Sequence, residues 1–214
     1  MSTPVAVTIS RQFGAGGARI GRQLAGRLGY RYLDQEILRR VAAQVRQETE
    51  ALAGREERLS TLWDTMLRIF GMGAPDAIYP PPSLCRLVSD RDLFELEGEV
   101  IGEVAARENA VIVGRGGFRV LKDHPRLVSI FLYAGRNFRA ETIRRLYGLA
   151  SIREALDWVE NCDRERERYL KTMTGVEWMA FKNFQLCLDT GRVSDAAAID
   201  MIVRLVDDAG ARQH

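Results

Sequence analysis

Short runs of consecutive apolar residues alternate along the chain with longer stretches in which apolar residues recur every three or four positions. The short runs predict buried strands, because a strand covered on both faces carries apolar side chains at successive positions. The longer stretches predict amphipathic helices. The predicted strands are 5–9, 30–33, 110–113, 127–132 and 184–188, and the predicted helices are 18–28, 35–52, 89–108, 136–149, 151–170 and 195–208.

This alternation of strands and helices predicts the fold class. Strands joined by helices lie parallel, and a parallel sheet is covered by helices on both faces. We therefore expect a single domain over 1–214, a three-layer α/β/α sandwich with a central five-stranded parallel sheet. In such sheets ligands bind beyond the carboxyl ends of the strands.

Residues 54–88 do not fit the alternation. LSTLWDTMLRIFGMG has the spacing of an amphipathic helix, whereas APDAIYPPPSLC after it cannot continue a helix because of its prolines. We interpret 54–88 as a helical and proline-rich insertion that covers the substrate or contacts another subunit, so a homo-oligomer is one expectation. The apolar stripe in it, Leu62, Met66, Ile69 and Phe70, suits core packing or a dimer contact.

Composition narrows the function classes. Lys plus Arg total 31 and Asp plus Glu total 29, a net charge of +2, whereas domains that coat nucleic acid are strongly basic. The 3 cysteines are widely spaced and, with 2 histidines, cannot assemble a Cys/His metal site, so we expect free thiols. The N-terminus has no signal-peptide pattern and no apolar run could cross a membrane. We expect a cytoplasmic protein with a small-molecule substrate and no nucleic-acid or membrane partner.

The first predicted strand runs directly into a glycine-rich turn, FGAGGARIG. Its glycines allow a tight turn that points backbone N–H groups inward, and the helix that follows adds its positive end. The alternative is that the glycines only let a strand turn closely into a helix. The residues expected to cradle a phosphate chain are Gly14, Ala15, Gly16, Gly17 and Ala18.

The turn lacks the lysine of the phosphate-loop pattern GxxxxGK[ST]. Arg11 stands in place of the first glycine of that pattern and Gly17 in place of its lysine. Arg11 and Arg19 are both adjacent to the turn, and we expect one of them to supply the missing charge. A second glycine-rich turn, 114–117, follows another strand, and its Arg115 is expected to bind an anion.

Three stretches together resemble the cytidylate kinase-like proteins, P-loop kinases related to bacterial cytidylate kinase and the nucleoside monophosphate kinases. These stretches are ISRQFGAGGARIGRQLAGRLGYRYLDQEILRR, VIVGRGG and CDRERERY, and the similarity covers most of the chain apart from 54–88. The opening SRxxGxGGxxIG is fairly specific for this branch, in which the Walker lysine is commonly missing. The resemblance implies a P-loop NTP hydrolase/kinase fold, a helical lid at about 136–172, and ATP and Mg²⁺ as cofactors.

The resemblance also implies which residues hold the acceptor. Asp34 matches the acid at the end of the second strand, and Arg40 matches an arginine that holds the acceptor's phosphate. Gly114 and Arg115 match a GR pair whose arginine would grip the same phosphate. In the lid, Glu165 matches a contact to the base.

Further arginines match residues that act on the transferring group. Arg164 and Arg168 would close over the phosphoryl group as the lid shuts, and Arg144 with Arg145 matches an arginine pair that precedes the lid. Read without the resemblance, the run DRERER at 163–168 would be a solvated helix face with acid–base pairs three or four residues apart.

Three positions depart from the family pattern. Gly116 stands where an acid is expected after the GR pair, Gln35 where a serine is expected, and Asn161 where an arginine opens the lid signature. In cytidylate kinases these positions help to hold cytosine or the acceptor's phosphate. The expected function is an ATP-dependent kinase of a nucleoside monophosphate. The alternatives are a kinase of a small non-nucleotide metabolite and a nucleotide-binding regulatory module without turnover.

Overall fold

A computed structural model of the chain describes residues 3–34, 37–38 and 91–211. Its centre is a sheet of five strands in the order β2-β3-β1-β4-β5, in which all neighbours run parallel. This confirms the predicted five-stranded parallel sheet. The strands are β1 (Ala6–Arg11), β2 (Arg31–Asp34), β3 (Ala110–Val113), β4 (Leu127–Tyr133) and β5 (Leu186–Asp189).

Helices cover both faces of the sheet. They are α1 (Gly17–Leu28), α2 (Arg91–Arg107), the short α3 (Gly117–Val120), α4 (Arg136–Tyr147), α5 (Ile152–Thr174) and α6 (Asp195–Ala211), with a 3-10 turn at Phe181–Asn183. The fold is therefore the three-layer α/β/α sandwich that the alternation predicts.

The two faces of β1 enter different cores because successive side chains of a strand point to opposite sides. Val7 and Ile9 pack with α1 and α6 in one apolar cluster. Ala6 belongs to a second cluster, built around Ile101 of α2. A third cluster lies between α4 and α5 and includes the ring of Phe13. Apolar clusters thus pack against both faces of β1, and a third cluster packs around Phe13, just beyond its carboxyl end.

Predicted and observed elements differ mainly at their ends. β1 continues two residues past the predicted Ile9, because Ser10 and Arg11 still pair with Phe131 and Leu132 of β4. α5 runs beyond the predicted end near residue 170 to Thr174. The predicted cap of α5 is confirmed, since the Ser151 hydroxyl accepts from the Glu154 amide at 3.1 Å.

The predicted helix 35–52 is described only at 37–38, where the chain is helical. Asp34 acts there as predicted for a helix cap, because its carboxylate accepts a hydrogen bond from the Ile37 amide at 3.1 Å. Arg40, Gln35, the insertion 54–88 and the predicted cap at Ser89 lie outside the described residues.

The cysteines differ from the expectation of free thiols. Cys187 is a free, exposed thiol. Cys162, buried between α4 and α5, is disulfide-bonded, so the expectation is wrong for this residue. Within the described ranges, no helix has the length and apolar character needed to span a membrane.

The close packing of α1 on the sheet generates a stability prediction. A Cβ on Gly21 would lie 2.7 Å from Cγ2 of Val113, whereas a Cβ on Gly26, five residues later in the same helix, meets nothing within 4 Å. We expect Gly21→Ala to destabilise the protein by about 1–3 kcal/mol through overpacking. Gly26→Ala should stabilise it by about 0.5–1 kcal/mol through helix propensity. Urea unfolding of both variants measures the difference, and equal shifts would show that α1 is not held against β3 in this way.

Candidate functional site

The turn between β1 and α1, residues 12–16, has the backbone of an anion-binding loop. Gly14 and Gly16 adopt left-handed conformations, with φ of +84° and +76°. Gly16 is the N-cap of α1 and no side chain caps the helix there. The amides of the first turn of α1 therefore point out of the helix end, where they can bind an anion. The Ala15 amide is used differently, donating to the Gln12 carbonyl at 3.2 Å.

A cavity of about 480 Å³ opens in front of this loop. Its floor is the loop and the start of α1, and one wall is formed by Phe138, Thr142, Arg145 and Leu146 of α4. Phe138 and Leu146 are 43% and 56% exposed although both are apolar. An apolar wall beside a polar floor suits a ligand with a flat ring at one end and a charged chain at the other. We call this space the loop cavity.

Arg11 occupies the space in which a lysine at position 17 would begin. A Cβ on Gly17 would lie 2.5 Å from Cγ of Arg11 and 2.9 Å from its Cβ. The Arg11 guanidinium reaches across to the second glycine turn, where a Cβ on Gly114 would collide with it. Both turns therefore need glycine at the points where Arg11 passes. The side chain links the carboxyl ends of two adjacent strands, β1 and β3.

The second turn has three successive residues in the left-handed region, Gly114, Arg115 and Gly116, with φ of +89°, +52° and +68°. Arg115 is the only such residue other than glycine in the described part of the chain. This conformation is unusual for an arginine and is maintained only where the surroundings hold it.

Buried contacts hold Arg115 in this conformation. Its Nε donates to Oε2 of Glu97 at 2.6 Å, and the guanidinium forms an ion pair with the same carboxylate. The guanidinium carbon lies 4.8 Å from the centre of the Tyr169 ring. The side chain of Glu97 is 1% exposed and that of Arg115 6%. Arg115 therefore points inward, between α2 and α5, and not to bulk solvent.

A second, small cavity of about 30 Å³ lies beside Arg115. Three arginines from three segments line it: Arg11 at the end of β1, Arg115 in the second turn and Arg166 on α5. Arg11 and Arg166 also line the loop cavity. The two cavities therefore meet at these two side chains. We call the small space the arginine cavity.

The inner face of α5 is fastened to the loop. Asp163 accepts a hydrogen bond from the Phe13 amide at 2.7 Å, and the Phe13 carbonyl accepts one from Nη1 of Arg139 at 3.0 Å. Arg139 and Asp163 are themselves paired at 2.5 Å. Arg166 donates to the Arg11 carbonyl at 3.3 Å, and its guanidinium carbon lies 5.4 Å from the Phe13 ring centre.

The predicted catalytic residues Arg11 and Arg19 are placed differently. Arg11 lies between the two cavities. Arg19 lines the edge of the loop cavity, but it forms a bidentate pair with Asp195 at 2.7 and 2.9 Å, and its side chain is 55% exposed. Of the two candidates for the missing lysine charge, Arg11 has the inward position.

Three of the arginines matched to the lid pattern, Arg144, Arg164 and Arg168, line neither cavity, whereas Arg145 lines the loop cavity. Arg164 donates to Asn161 at 3.3 Å and Arg168 to Glu165 at 2.5 Å, on the exposed side of α5. Arg144 pairs with Glu141 through two contacts of 2.9 Å. This hydrogen bond lowers the pKa of Glu141 and raises that of Arg144.

Asp34 lies at the end of β2, on the far side of β3 from the loop. Its carboxylate caps the Ile37 amide and lies 3.6 Å from Nη2 of Arg22. The structure therefore shows a capping role for this side chain. Its predicted part in acceptor binding, like that of Arg40, stays a prediction.

Sequence reasoning did not single out Arg139, Asp163 and Arg166. Arg166 carries a signal that was available: it is four residues after Cys162 and three before Tyr169, both buried, so it shares their helix face. Arg164 and Arg168 fall outside that face. Arg139 carries no comparable signal, because its partners Phe13 and Asp163 are remote in the chain.

The residues around the loop offer few side-chain ligands for a metal ion. In the pattern GxxxxGK[ST] the hydroxyl residue that holds Mg²⁺ falls on Ala18, which offers no ligand. In the ranges that the structure describes, no three His, Cys, Asp or Glu side chains group closely enough to hold a metal ion. A divalent cation at this site would therefore be bound mainly through a ligand's own oxygens.

The buried pair of Arg115 and Glu97 generates a prediction on stability. Removing one partner leaves a buried charge, so Glu97→Leu should cost about 3–5 kcal/mol of unfolding free energy, and Arg115→Met a similar amount. The double variant should recover most of this loss, because a well-packed apolar pair replaces the ion pair without stranding a charge. Urea denaturation of the four proteins in a double-mutant cycle measures the coupling. Additive losses would mean that the two side chains do not depend on each other.

Comparison with solved structures shows what the fold resembles. An uncharacterized protein from Eubacterium ventriosum superposes with a TM-score of 0.68 at 20% identity, over 95% of this chain and 98% of that chain. Shikimate kinase from Acinetobacter baumannii, in complex with shikimate, has a TM-score of 0.50 at 14% identity, over 98% and 96%. The YorR protein of Bacillus subtilis, in complex with phosphorylated GDP, has a TM-score of 0.51 at 12% identity, over 98% and 100%.

These similarities, at low identity, establish the fold as that of the P-loop kinases. A search of curated proteins gave no match to the chain. The model of the cytidylate kinase-like family matches residues 6–192, which is most of the sequence and includes both glycine turns and the inner face of α5. The chain therefore belongs to the cytidylate kinase-like family.

Proposed function

We propose that this protein is an ATP-dependent phosphotransferase that transfers the γ-phosphoryl group to a small phosphorylated acceptor, in first place a nucleoside monophosphate of the cytidylate type. One observation carries the proposal: Arg11, Arg115 and Arg166 surround a small cavity that adjoins the loop cavity, and Arg11 and Arg166 line both. Guanidinium groups recognise phosphate oxygens through paired hydrogen bonds. Two anionic groups, one in each cavity, would meet at these side chains.

Phosphoryl transfer asks little covalent chemistry of a protein. It requires in-line positioning of donor and acceptor and stabilisation of charge on the transferred group. In our proposal the amides of Gly14, Gly16, Gly17 and Ala18 cradle the donor's phosphates, whereas the Ala15 amide stays bonded to the Gln12 carbonyl. Arg11 supplies the charge that a lysine at position 17 would bring. Mg²⁺ would enter with ATP, held mainly by phosphate oxygens and water because Ala18 offers no hydroxyl.

The acceptor's phosphate is proposed to bind in the arginine cavity. Arg115 is already oriented there by Glu97 and the Tyr169 ring. Gly114 leaves room for the Arg11 guanidinium beside it. Asp34 and Arg40 remain proposed acceptor contacts on the basis of the family pattern.

The lid residues remain proposals for a closed state. Arg164, Arg168, Glu165 and Arg144 would contact the nucleotides only after α4 or α5 changes position, because each now pairs with a neighbour on its own helix. Arg166 needs no such movement. We therefore propose it as an additional arginine at the point of transfer.

One observation favours the alternative of a small non-nucleotide acceptor. Where the family has an acid after the GR pair, a Cβ on Gly116 would lie 3.2 Å from Cδ2 of Leu170 and 3.6 Å from a ring carbon of Phe94. The space for an acidic side chain is thus filled with apolar groups, and an acid that reads a base has no place there. The inward-facing arginines argue against the hypothesis of a regulatory module without turnover, because nucleotide binding alone does not require them.

An acceptor screen tests the function. Purified protein with ATP and Mg²⁺ is incubated with each nucleoside monophosphate and with small phosphorylated or hydroxylated metabolites. ATP consumption is followed, and the product is identified by ³¹P NMR. We expect turnover with CMP or another nucleoside monophosphate. Turnover only with a small metabolite supports the second candidate, and ATP binding without turnover of any acceptor contradicts both kinase assignments.

The arginine that replaces the lysine is identified by comparing two variants. Arg11→Ala should remove about 2–4 kcal/mol of transition-state stabilisation, which is about 30- to 900-fold in kcat/KM. Arg19→Ala removes an exposed pair with Asp195, worth about 0–1 kcal/mol of stability, and should lower kcat/KM far less. Steady-state kinetics with the best acceptor gives both values. A larger loss for Arg19→Ala would assign the charge to Arg19 instead.

A further inference from the structure

We propose that Arg139 and Asp163 are positioning residues that hold the glycine-rich loop in its anion-binding shape before any nucleotide is present. The inference rests on the proposed function, since it explains how a loop without a lysine side chain is prepared for a phosphate chain. Neither residue lines the loop cavity or the arginine cavity, so each would act through the loop and not by touching a substrate.

The contact is made to the main chain of a single residue. Asp163 Oδ1 accepts from the Phe13 amide at 2.7 Å, and Arg139 Nη1 donates to the Phe13 carbonyl at 3.0 Å. The same Nη1 lies 2.5 Å from Asp163 Oδ2. One ion pair therefore satisfies both polar groups of Phe13, and charged partners make such hydrogen bonds stronger than neutral ones.

The ion pair is itself fixed to the fold. The side chain of Arg139 is 8% exposed and that of Asp163 15%. Arg139 Nε donates to the Ala134 carbonyl, just beyond β4, at 3.0 Å. The Phe13 ring is buried in the apolar cluster between α4 and α5. The loop, the end of β4 and helices α4 and α5 are thus connected through one buried set of contacts among Phe13, Arg139 and Asp163, which we call the Phe13 joint.

The next residue shows how closely the loop rests on α4. A Cβ on Gly14 would lie 2.8 Å from the carbonyl oxygen of Arg139 and 3.1 Å from its Cα. Main chain here packs against main chain. The direction of the amides that follow, at Gly16, Gly17 and Ala18, is therefore set by where Arg139 holds residue 13. Donors that are oriented in advance stabilise a developing charge without reorganisation.

Asp163 is also connected to the cation that we assign to transfer. Its Oδ1 lies 3.9 Å from Nη1 of Arg166, which donates to the Arg11 carbonyl. A lysine at position 17 would carry its charge on the loop itself. Here the charge is carried by Arg11 at the end of β1, so the loop and the end of β1 must keep a fixed distance and orientation. The face of α5 that bears Asp163 and Arg166 contacts both, because Asp163 accepts from the Phe13 amide and Arg166 donates to the Arg11 carbonyl.

A competing explanation is that the pair simply joins α4 to α5. The chain provides a matched control for this. Arg136 and Glu160 form another ion pair between the same two helices, with side chains 58% and 44% exposed and neither lining the loop cavity. Glu160→Ala removes a link between α4 and α5 and leaves the Phe13 joint intact.

The test compares Asp163→Ala, Asp163→Asn and Glu160→Ala in the full chain. Hydrogen exchange of the Ala15 amide, which donates to the Gln12 carbonyl inside the loop, is measured in the free protein, and the Kd of a non-hydrolysable ATP analogue by calorimetry. Asp163→Ala should speed exchange in the loop and weaken analogue binding by about 10- to 100-fold. Asp163→Asn keeps an oxygen for the Phe13 amide but loses the charge that pairs with Arg139, so both of its effects should lie between those of Asp163→Ala and Glu160→Ala. Glu160→Ala should leave both within about twofold of the parent protein.

The outcomes separate this inference from the proposed function. If the parent protein binds the analogue and folded Asp163→Ala binds it equally well with an unchanged loop, the positioning role is overturned. If the parent protein does not bind the analogue, the proposed function fails, while loop exchange still decides whether Asp163 orders the loop. Should Asp163→Ala not fold, Asp163→Asn against Glu160→Ala decides in the same way: faster loop exchange and weaker binding in Asp163→Asn support the role, and parity with Glu160→Ala overturns it.

Discussion

The site depends on the path of one side chain. Arg11 leaves the end of β1, passes over Gly17 and ends against Gly114, so its stem and its charged group occupy the spaces of two missing side chains. A residue with a Cβ at either position would displace it. This steric relation accounts for two glycines in two separate turns, at the carboxyl ends of β1 and β3. It also delivers a positive charge to the point where two cavities meet.

Bringing three guanidinium groups around about 30 Å³ is unfavourable unless negative charge lies nearby. Glu97 supplies it behind Arg115, and Asp163 supplies it beside Arg139 and Arg166. Neither carboxylate lines the arginine cavity or the loop cavity. The carboxylates thus stabilise the arrangement in the free protein without competing for the position of an anion. A site built in this way is oriented before binding, which suits electrostatic catalysis.

The fold was predictable because the strands of a parallel sheet that is buried on both faces are nearly continuous apolar runs in the sequence, as at 110–113 and 127–132. The end of β1 was missed by two residues, since polar Ser10 and Arg11 end the apolar run although their main chain still pairs with β4. Arg115 was identifiable because an arginine between glycines at a strand end has little packing value. Its partner Glu97 could not be identified from the sequence, because it has the pattern of an ordinary acidic residue on an amphipathic helix. The alternating charges of 163–168 likewise do not show which side chains face inward. Arg166 can be distinguished from Arg164 and Arg168 only by its helical spacing from buried neighbours such as Tyr169.

The shared space of Arg11 and Gly17 also constrains how this loop can evolve. A lysine at position 17 cannot be accommodated while the arginine stem lies there, and losing the arginine first would leave the loop without either cation. A change to the lysine form therefore requires two coordinated substitutions, so each single intermediate is at a disadvantage. Such a pair is epistatic, since the effect of a substitution at either position depends on the residue at the other.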